Sequence, residues 1–325
     1  VRFLLDAEQR EFARTLEALL AAADAPSAAR AWARGDHAPG RALWDRFAKA
    51  GVFALAVPDE SEGAGRLPLE LTLAFEALGR HAVPGPAVET VAASVLLAGL
   101  GDAAPAQAWL PRLASGGALA TLRGDGGYAL DADVADAVLV VAGDTGEELW
   151  LVDEPGPAVP SHDPVRRLFA PAARGDLLAR GPHVAAAAGE ARAWAALATA
   201  AQALGVGRAL LDRTVAYVRE RRQFGVAVGS FQAVKHRLAD VLVALEFARP
   251  LVHAAALSLD PVDIAMAKVA SGEAACASAR AALQLHGAIG YTDELELSLW
   301  LRKARPLRDA WGTPASCRAR IVGAS

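Results

Sequence analysis

The stretch Tyr217–Val241, YVRERRQFGVAVGSFQAVKHRLADV, decides how the rest of the chain is read. A helix ends at the pair Arg221 and Arg222, where the negative end of the helix dipole stabilises cations. A short Gly-containing turn follows, and a second helix opens at Phe231 and Gln232. By composition alone the two arginines are solvated surface charge. The flanking periodicity predicts long helices on both sides, one from about 185 to 221 and one from 231 to 249, where Pro250 is expected to stop it.

Downstream, Asp260 is a good N-cap with Pro261 at the first helical position. The helix it starts runs through IAMAKVASGEAACASARAALQL. Further helices are expected over about 293–305 and from Thr313, which Pro314 follows. Helices of this length in succession argue for an antiparallel bundle over 183–325. Upstream, Asp6 and Gln9 have capping-box spacing, and Phe12, Leu16, Leu19 and Leu20 share one helical face. Segments around 41–55, 69–79 and 88–100 continue a helical region over 1–110. Between 111 and 182 the texture changes to short β-rich runs, ALATLRG, GYAL, DAVLVVAG and EELWLVD, at hairpin-like spacing. They predict a small antiparallel β unit, with Pro155, Pro157 and Pro160 closing one side. The fold class is therefore mainly α with a small β unit.

Composition narrows the function. A chain of 325 residues with 54% hydrophobic residues buries a sizeable core, and a net charge of −4 supplies no basic field for nucleic acid. Cys276 and Cys317 are the only cysteines, with no ligand spacing around them, so neither a disulfide framework nor a metal site is expected. The first residues, VRFLLDAEQREF, reach acids before an apolar run of signal length develops, and the Ala-rich stretch 191–207 is too short and polar for a bilayer. No membrane and a cytoplasmic, reducing compartment are the expectations.

RRQFGVAVGSFQ with RLAD resembles the Arg-x-Gln-Phe-Gly and Phe-Gln signature of acyl-CoA dehydrogenases. QLHGAIGYTDELELSLWLRKAR is similar to that family's Gln-x-x-Gly-Gly-x-Gly-Tyr turn, and VPDESEGAG to its N-terminal Pro-Glu-x-x-Gly-Gly-x-Gly loop. The resemblance covers nearly the whole chain and implies an N-terminal helical domain, a middle β domain and a C-terminal bundle. It implies FAD as cofactor, an acyl-CoA substrate and an electron-transfer flavoprotein as a candidate partner. Carried over, it assigns Arg221 and Gln223 to the FAD pyrophosphate and ribose, with Phe224 beside them, and Phe231 and Gln232 to the adenine region. An arginine fork suits a pyrophosphate. Gln284, Leu285, His286, Gly287 and Ala288 correspond to the adenylate-facing turn, Ala288 replacing its second Gly, and Thr313 completes the implied cofactor set. Read without the family, Gly287 and Gly290 make a helix-ending turn, and His286 is equally a cofactor donor or a satisfied bundle histidine.

The same resemblance exposes gaps. Family members take the α-proton of the thioester with a Glu placed directly before a Gly-Thr pair; here Trp311 stands before Gly312 and Thr313, and an indole N–H accepts no proton. The alternative family position, on the first bundle helix, is Ala195. Glu190 lies five residues away and is a weak candidate; Asp309, Asp293 and Glu294 are weaker still. The Thr-Glu-Pro and Gly-Ser-Asp stretch that lines the flavin ring has no counterpart. These departures resemble the smaller, catalytically degenerate subunits of α2β2 acyl-CoA dehydrogenases of actinobacterial steroid breakdown. They imply a chain that pairs with a paralogous subunit or with itself and lends FAD contacts across the interface. A homo-oligomer with a relocated base such as Glu190, and a non-enzymatic structural subunit, stay open.

Overall fold

The computed structural model of the chain describes residues 4–101, 104–124 and 127–324. Six helices come first: α1 (Ala7–Ala21), α2 (Ala25–Ala33), α3 (Ala38–Lys49), α4 (Pro68–Arg80), α5 (Ala87–Ala98) and α6 (Ala104–Ala114). Asp6 and Gln9 form the expected capping box at α1. Trp44 stacks on Phe53 with ring centroids 4.0 Å apart, and its indole donates to the Gly116 carbonyl at 3.0 Å, which ties α3 to the start of the β unit. The helical region extends further than the sequence pattern suggested, because α6 carries Pro111 inside it and ends at Ala114.

The β unit comprises β1 (Ala120–Leu122), β2 (Ala129–Leu130), β3 (Ala137–Ala142), β4 (Glu148–Val152), β5 (Ala158–Val159), β6 (Leu168–Phe169) and β7 (Gly175–Arg180). One sheet has the order β1-β3-β4-β7 and the other β2-β6-β5. The pairing departs from the expected purely antiparallel one: β1 and β3 run parallel, with Thr121 opposite Val138. The cause is that GYAL does not return on ALATLRG as a hairpin. It crosses as β2 to pair with β6, so the chain re-enters the first sheet in the original direction. Val138, Val140, Ala129 and Phe169 fill a small core of its own between the sheets.

The bundle consists of α7 (Pro182–Glu220), α8 (Gln232–Ser258), α9 (Pro261–His286), α10 (Leu297–Asp309) and α11 (Pro314–Gly323), with the two-stranded hairpin β8 (Arg222–Gln223) and β9 (Val226–Ala227) between α7 and α8. Asp260 caps α9 through Val262 and Asp263, and Thr313 caps α11 through Ser316. Pro250 does not end α8, contrary to expectation; it sits inside a 27-residue helix. The helix survives the lost hydrogen bond, a cost of about 3 kcal/mol, because Ala248, Val252, Ala255 and Ala256 bury its inner face on both sides of the proline.

Small residues set the depth of the core. Where α4 crosses α7, a Cβ on Gly79 would stand 2.0 Å from the Gln202 carbonyl oxygen, and one on Gly205 would stand 1.9 Å from that of Glu76. Each helix therefore approaches the other's backbone through a position only glycine fits. By length and composition α7 and α8 are apolar enough to cross a membrane. The apolar stretch of α7 is almost wholly buried in the fold, whereas less than half of that of α8 is covered, leaving Leu242, Val243 and Phe247 exposed.

Candidate functional site

Two regions collect the residues singled out by sequence. The first is one end of the bundle. Arg221 follows the last turn of α7 in extended conformation, and its guanidinium makes no hydrogen bond or ion pair among the described residues. In the hairpin Arg222 pairs with Ala227 and Gln223 with Val226, which leaves Phe224 and Gly225 as a two-residue loop with φ of 53° and 79°. Both values are positive, as a type I′ turn requires. Phenylalanine in the left-handed region costs about 1 kcal/mol, and this one displays its ring 92% exposed. Phe231, the N-cap of α8, meets it edge-on at 6.3 Å, and Gln232 is exposed beside it.

The end of α9 lies at the same place. One turn before Arg221, Tyr217 stacks on His286 at 4.2 Å and 21°, and its hydroxyl approaches the His286 carbonyl at 3.5 Å. This contact brings the hairpin and the Gln284–Ala288 segment together. His286 itself is the packed bundle histidine: it is buried, and Nδ1 lies 2.8 Å from the Ala282 carbonyl. Burial pushes its pKa down, so the ring is neutral at pH 7. Gln284, Gly287 and Ala288 are exposed, Leu285 is half-buried, and the space where a Gly287 side chain would stand is open. With φ of 64° at Gly287, the backbone faces outward as a bare strip.

The second region is a cavity of about 520 Å³ where all three parts of the chain meet. Glu89 of α5, Gly124 and Tyr128 between β1 and β2, Leu168 of β6, and Trp311 and Thr313 between α10 and α11 line it. Trp311 has φ of 55° and spans the cleft: Nε1 donates to Glu89 Oε1 at 3.2 Å, and a Cβ on Gly124 would lie 3.5 Å from the six-membered ring. Thr313 faces this cavity and not the hairpin; its hydroxyl is engaged at the α11 cap. Asp309 also lines the cavity, whereas Asp293 pairs with Arg302 and Glu294 is exposed. Ala195 is buried in α7. Glu190 belongs to a separate pocket with Asp59 and Glu60 and is ion-paired to Arg66, away from Trp311.

Glu89 was not found by sequence reasoning. It is 4% exposed, with Oε2 lacking a hydrogen-bond partner among the described residues. The only signal was one acid inside the apolar run AVETVAASVLLA, and its indole partner lies 222 residues away. A second buried acid, Asp131, accepts from Trp32 Nε1 at 2.9 Å, and burial raises its pKa to about 8. Lys268, equally buried, donates to the carbonyls of Leu307, Arg308 and Gly312 at 2.7–3.2 Å, which fixes the turn that carries Trp311. Burial lowers its pKa to about 8.

Comparison with known proteins accounts for this layout. The model of the acyl-CoA dehydrogenase N-terminal domain matches residues 6–117, and that of the acyl-CoA dehydrogenase C-terminal domain matches 185–324. The chain belongs to the acyl-CoA dehydrogenase family. It is 34% identical to acyl-CoA dehydrogenase IpdE2 of Mycobacterium tuberculosis over 97% of this chain and 96% of that one, and 32% identical to IpdE2 of Mycolicibacterium smegmatis over 97% and 98%. Among solved structures, the ChsE4-ChsE5 complex from Mycobacterium tuberculosis contains a chain that superposes with a TM-score of 0.83 at 25% identity, covering 99% of this chain and 98% of that one. An acyl-CoA dehydrogenase chain thus lies along the whole sequence, and the β unit between the two matched domains takes its usual place in the order.

Proposed function

We propose that the protein is one subunit of an FAD-dependent acyl-CoA dehydrogenase that introduces an α,β double bond into a bulky CoA thioester, steroid-derived on the sequence resemblance, and that it lends cofactor contacts to a partner subunit. The observation that carries the reading is the unpartnered Arg221 guanidinium beside a strained, exposed Phe224 turn and the open Gly287 backbone. None of these residues lines the chain's own cavity. A cation, a ring and a bare backbone strip presented outward suit a dinucleotide brought by another chain. Strain held at an exposed turn is a mark of function. The exposed apolar face further along α8 gives such a partner an area to cover, and the likeness to a chain of a two-chain complex supports a heteromer.

When bound, FAD supplies the acceptor for the β-hydride, and an electron-transfer flavoprotein is the expected reoxidant. On this chain Arg221 and Gln223 hold the pyrophosphate and ribose, Phe224, Phe231 and Gln232 flank the adenine side, and the Gln284–Ala288 backbone closes over it. Removal of the α-proton falls to the partner, since Trp311 donates and accepts nothing. The ion pair of Glu190 with Arg66 speaks against the relocated-base homo-oligomer. Co-expression with a full-length paralogue tests the proposal. The two chains should co-purify with flavin, and this chain alone should be nearly colourless; a yellow, fully active homomer would overturn the reading.

A further inference from the structure

A second cavity, of about 560 Å³, follows the seam between α9 and α10 and does not include the hairpin, the Gln284–Ala288 segment or Trp311. Where α9 gives way to the turn before α10, its lining includes half-buried Leu283 and Tyr291, whose ring is 77% exposed. It is also lined by Arg280, Arg305 and Arg308, and no Asp or Glu lines it. A fourth arginine, Arg302, is committed to Asp293 at 2.7 Å. Among the described residues Arg280 and Arg305 form neither ion pair nor side-chain hydrogen bond, and Arg308 Nε is buried with no partner. Cys276 lines the same cavity, so the three arginines and the thiol share one wall.

Three permanent guanidinium charges gathered in a lining that holds no carboxylate among the described residues repel one another, and a multivalent anion is what relieves them. We propose that this groove binds a small organic phosphate, its phosphate group gripped by Arg280, Arg305 and Arg308 and its ring or apolar body lying along Leu283 toward Tyr291. Guanidinium forks match phosphate oxygens in pairs, and the cavity has the volume of an ordinary small-ligand pocket, roughly 300–1,000 Å³. The apolar part of the lining is the reason to expect a ligand with a body and not a bare anion. The site is independent of the cofactor contacts proposed above.

Isothermal titration of the purified protein, in its assembly, with ADP as probe and inorganic phosphate as comparison tests this. ADP should bind saturably, more tightly than phosphate, and more weakly as salt is raised. The double variant Arg280→Glu/Arg305→Glu, both positions being exposed, should keep its melting temperature and weaken ADP binding by roughly tenfold or more. Arg221→Ala should leave that binding unchanged. Absence of saturable ADP binding, binding indifferent to the double variant, phosphate binding as tight as ADP, or loss in Arg221→Ala would each overturn the assignment; the last would move ADP to the flavin contacts.

Discussion

Replacing Asp131 with Asn should stabilise the protein, and by an amount that grows with pH. The carboxyl is fully buried, and burial, the largest influence, outweighs the Trp32 hydrogen bond and raises its pKa from 3.8 to about 8. Between those values the folded chain holds a proton that the unfolded chain has released. Stability is therefore full below pH 4, declines as pH rises, and levels off above about 8. At about 1.4 kcal/mol per pH unit, the roughly 3.2 units from 3.8 to 7 amount to at most about 4.5 kcal/mol at neutral pH. Asn keeps the acceptor for Trp32 Nε1, tolerates the φ of 54° at this position, and carries no charge to bury. Urea denaturation of both proteins at pH 5, 6, 7 and 8 measures the effect. The wild-type curve should fall relative to the variant across the series; parallel curves, or a difference between the two that shrinks from pH 5 to pH 8, would refute the reasoning.

Three other substitutions have defined outcomes. Lys268→Met should destabilise by about 2–4 kcal/mol in thermal or chemical melts, since three carbonyls lose their donor. Because its pKa is depressed to about 8, the wild-type lysine should itself add stability as pH rises from 8 toward 10.5, a trend that variant lacks. Phe224→Asn creates the preferred Asn-Gly turn and should raise the stability of the isolated chain by about 1 kcal/mol while lowering flavin retention in the complex, as flavin absorbance per heteromer would record. Trp311→Phe removes the hydrogen bond to Glu89 Oε1 and should cost roughly 1–3 kcal/mol; the Glu89→Gln/Trp311→Phe pair should recover part of it in a double-mutant cycle.

Local chemistry made much of the fold legible. The Asp6 box, the Asp260 cap with Pro261, and Thr313 before Pro314 act within three residues, and each starts a helix where expected. What escaped depends on distance. Pro250 continues because α8 is held by side-chain packing on both sides of it, and β1 runs parallel to β3 because β2 finds its partner in β6, near residue 168. In the candidate site, the motif residues at the hairpin and the α9 end were legible as a string. Their meeting through Tyr217 and His286, and the closing of the cavity by Trp311 on Glu89, rest on contacts 69 and 222 residues apart. The absence of a base at 311 was readable; the acid opposite it on α5 was not.

The flavin content of the assembled complex with and without the Arg221 side chain tests the central claim most directly. Arg221→Ala should leave the subunit ratio intact, since the exposed side chain makes no hydrogen bond or ion pair among the described residues, while most of the flavin is lost on gel filtration. Full flavin occupancy in an intact Arg221→Ala complex would contradict the idea that this subunit grips its partner's cofactor.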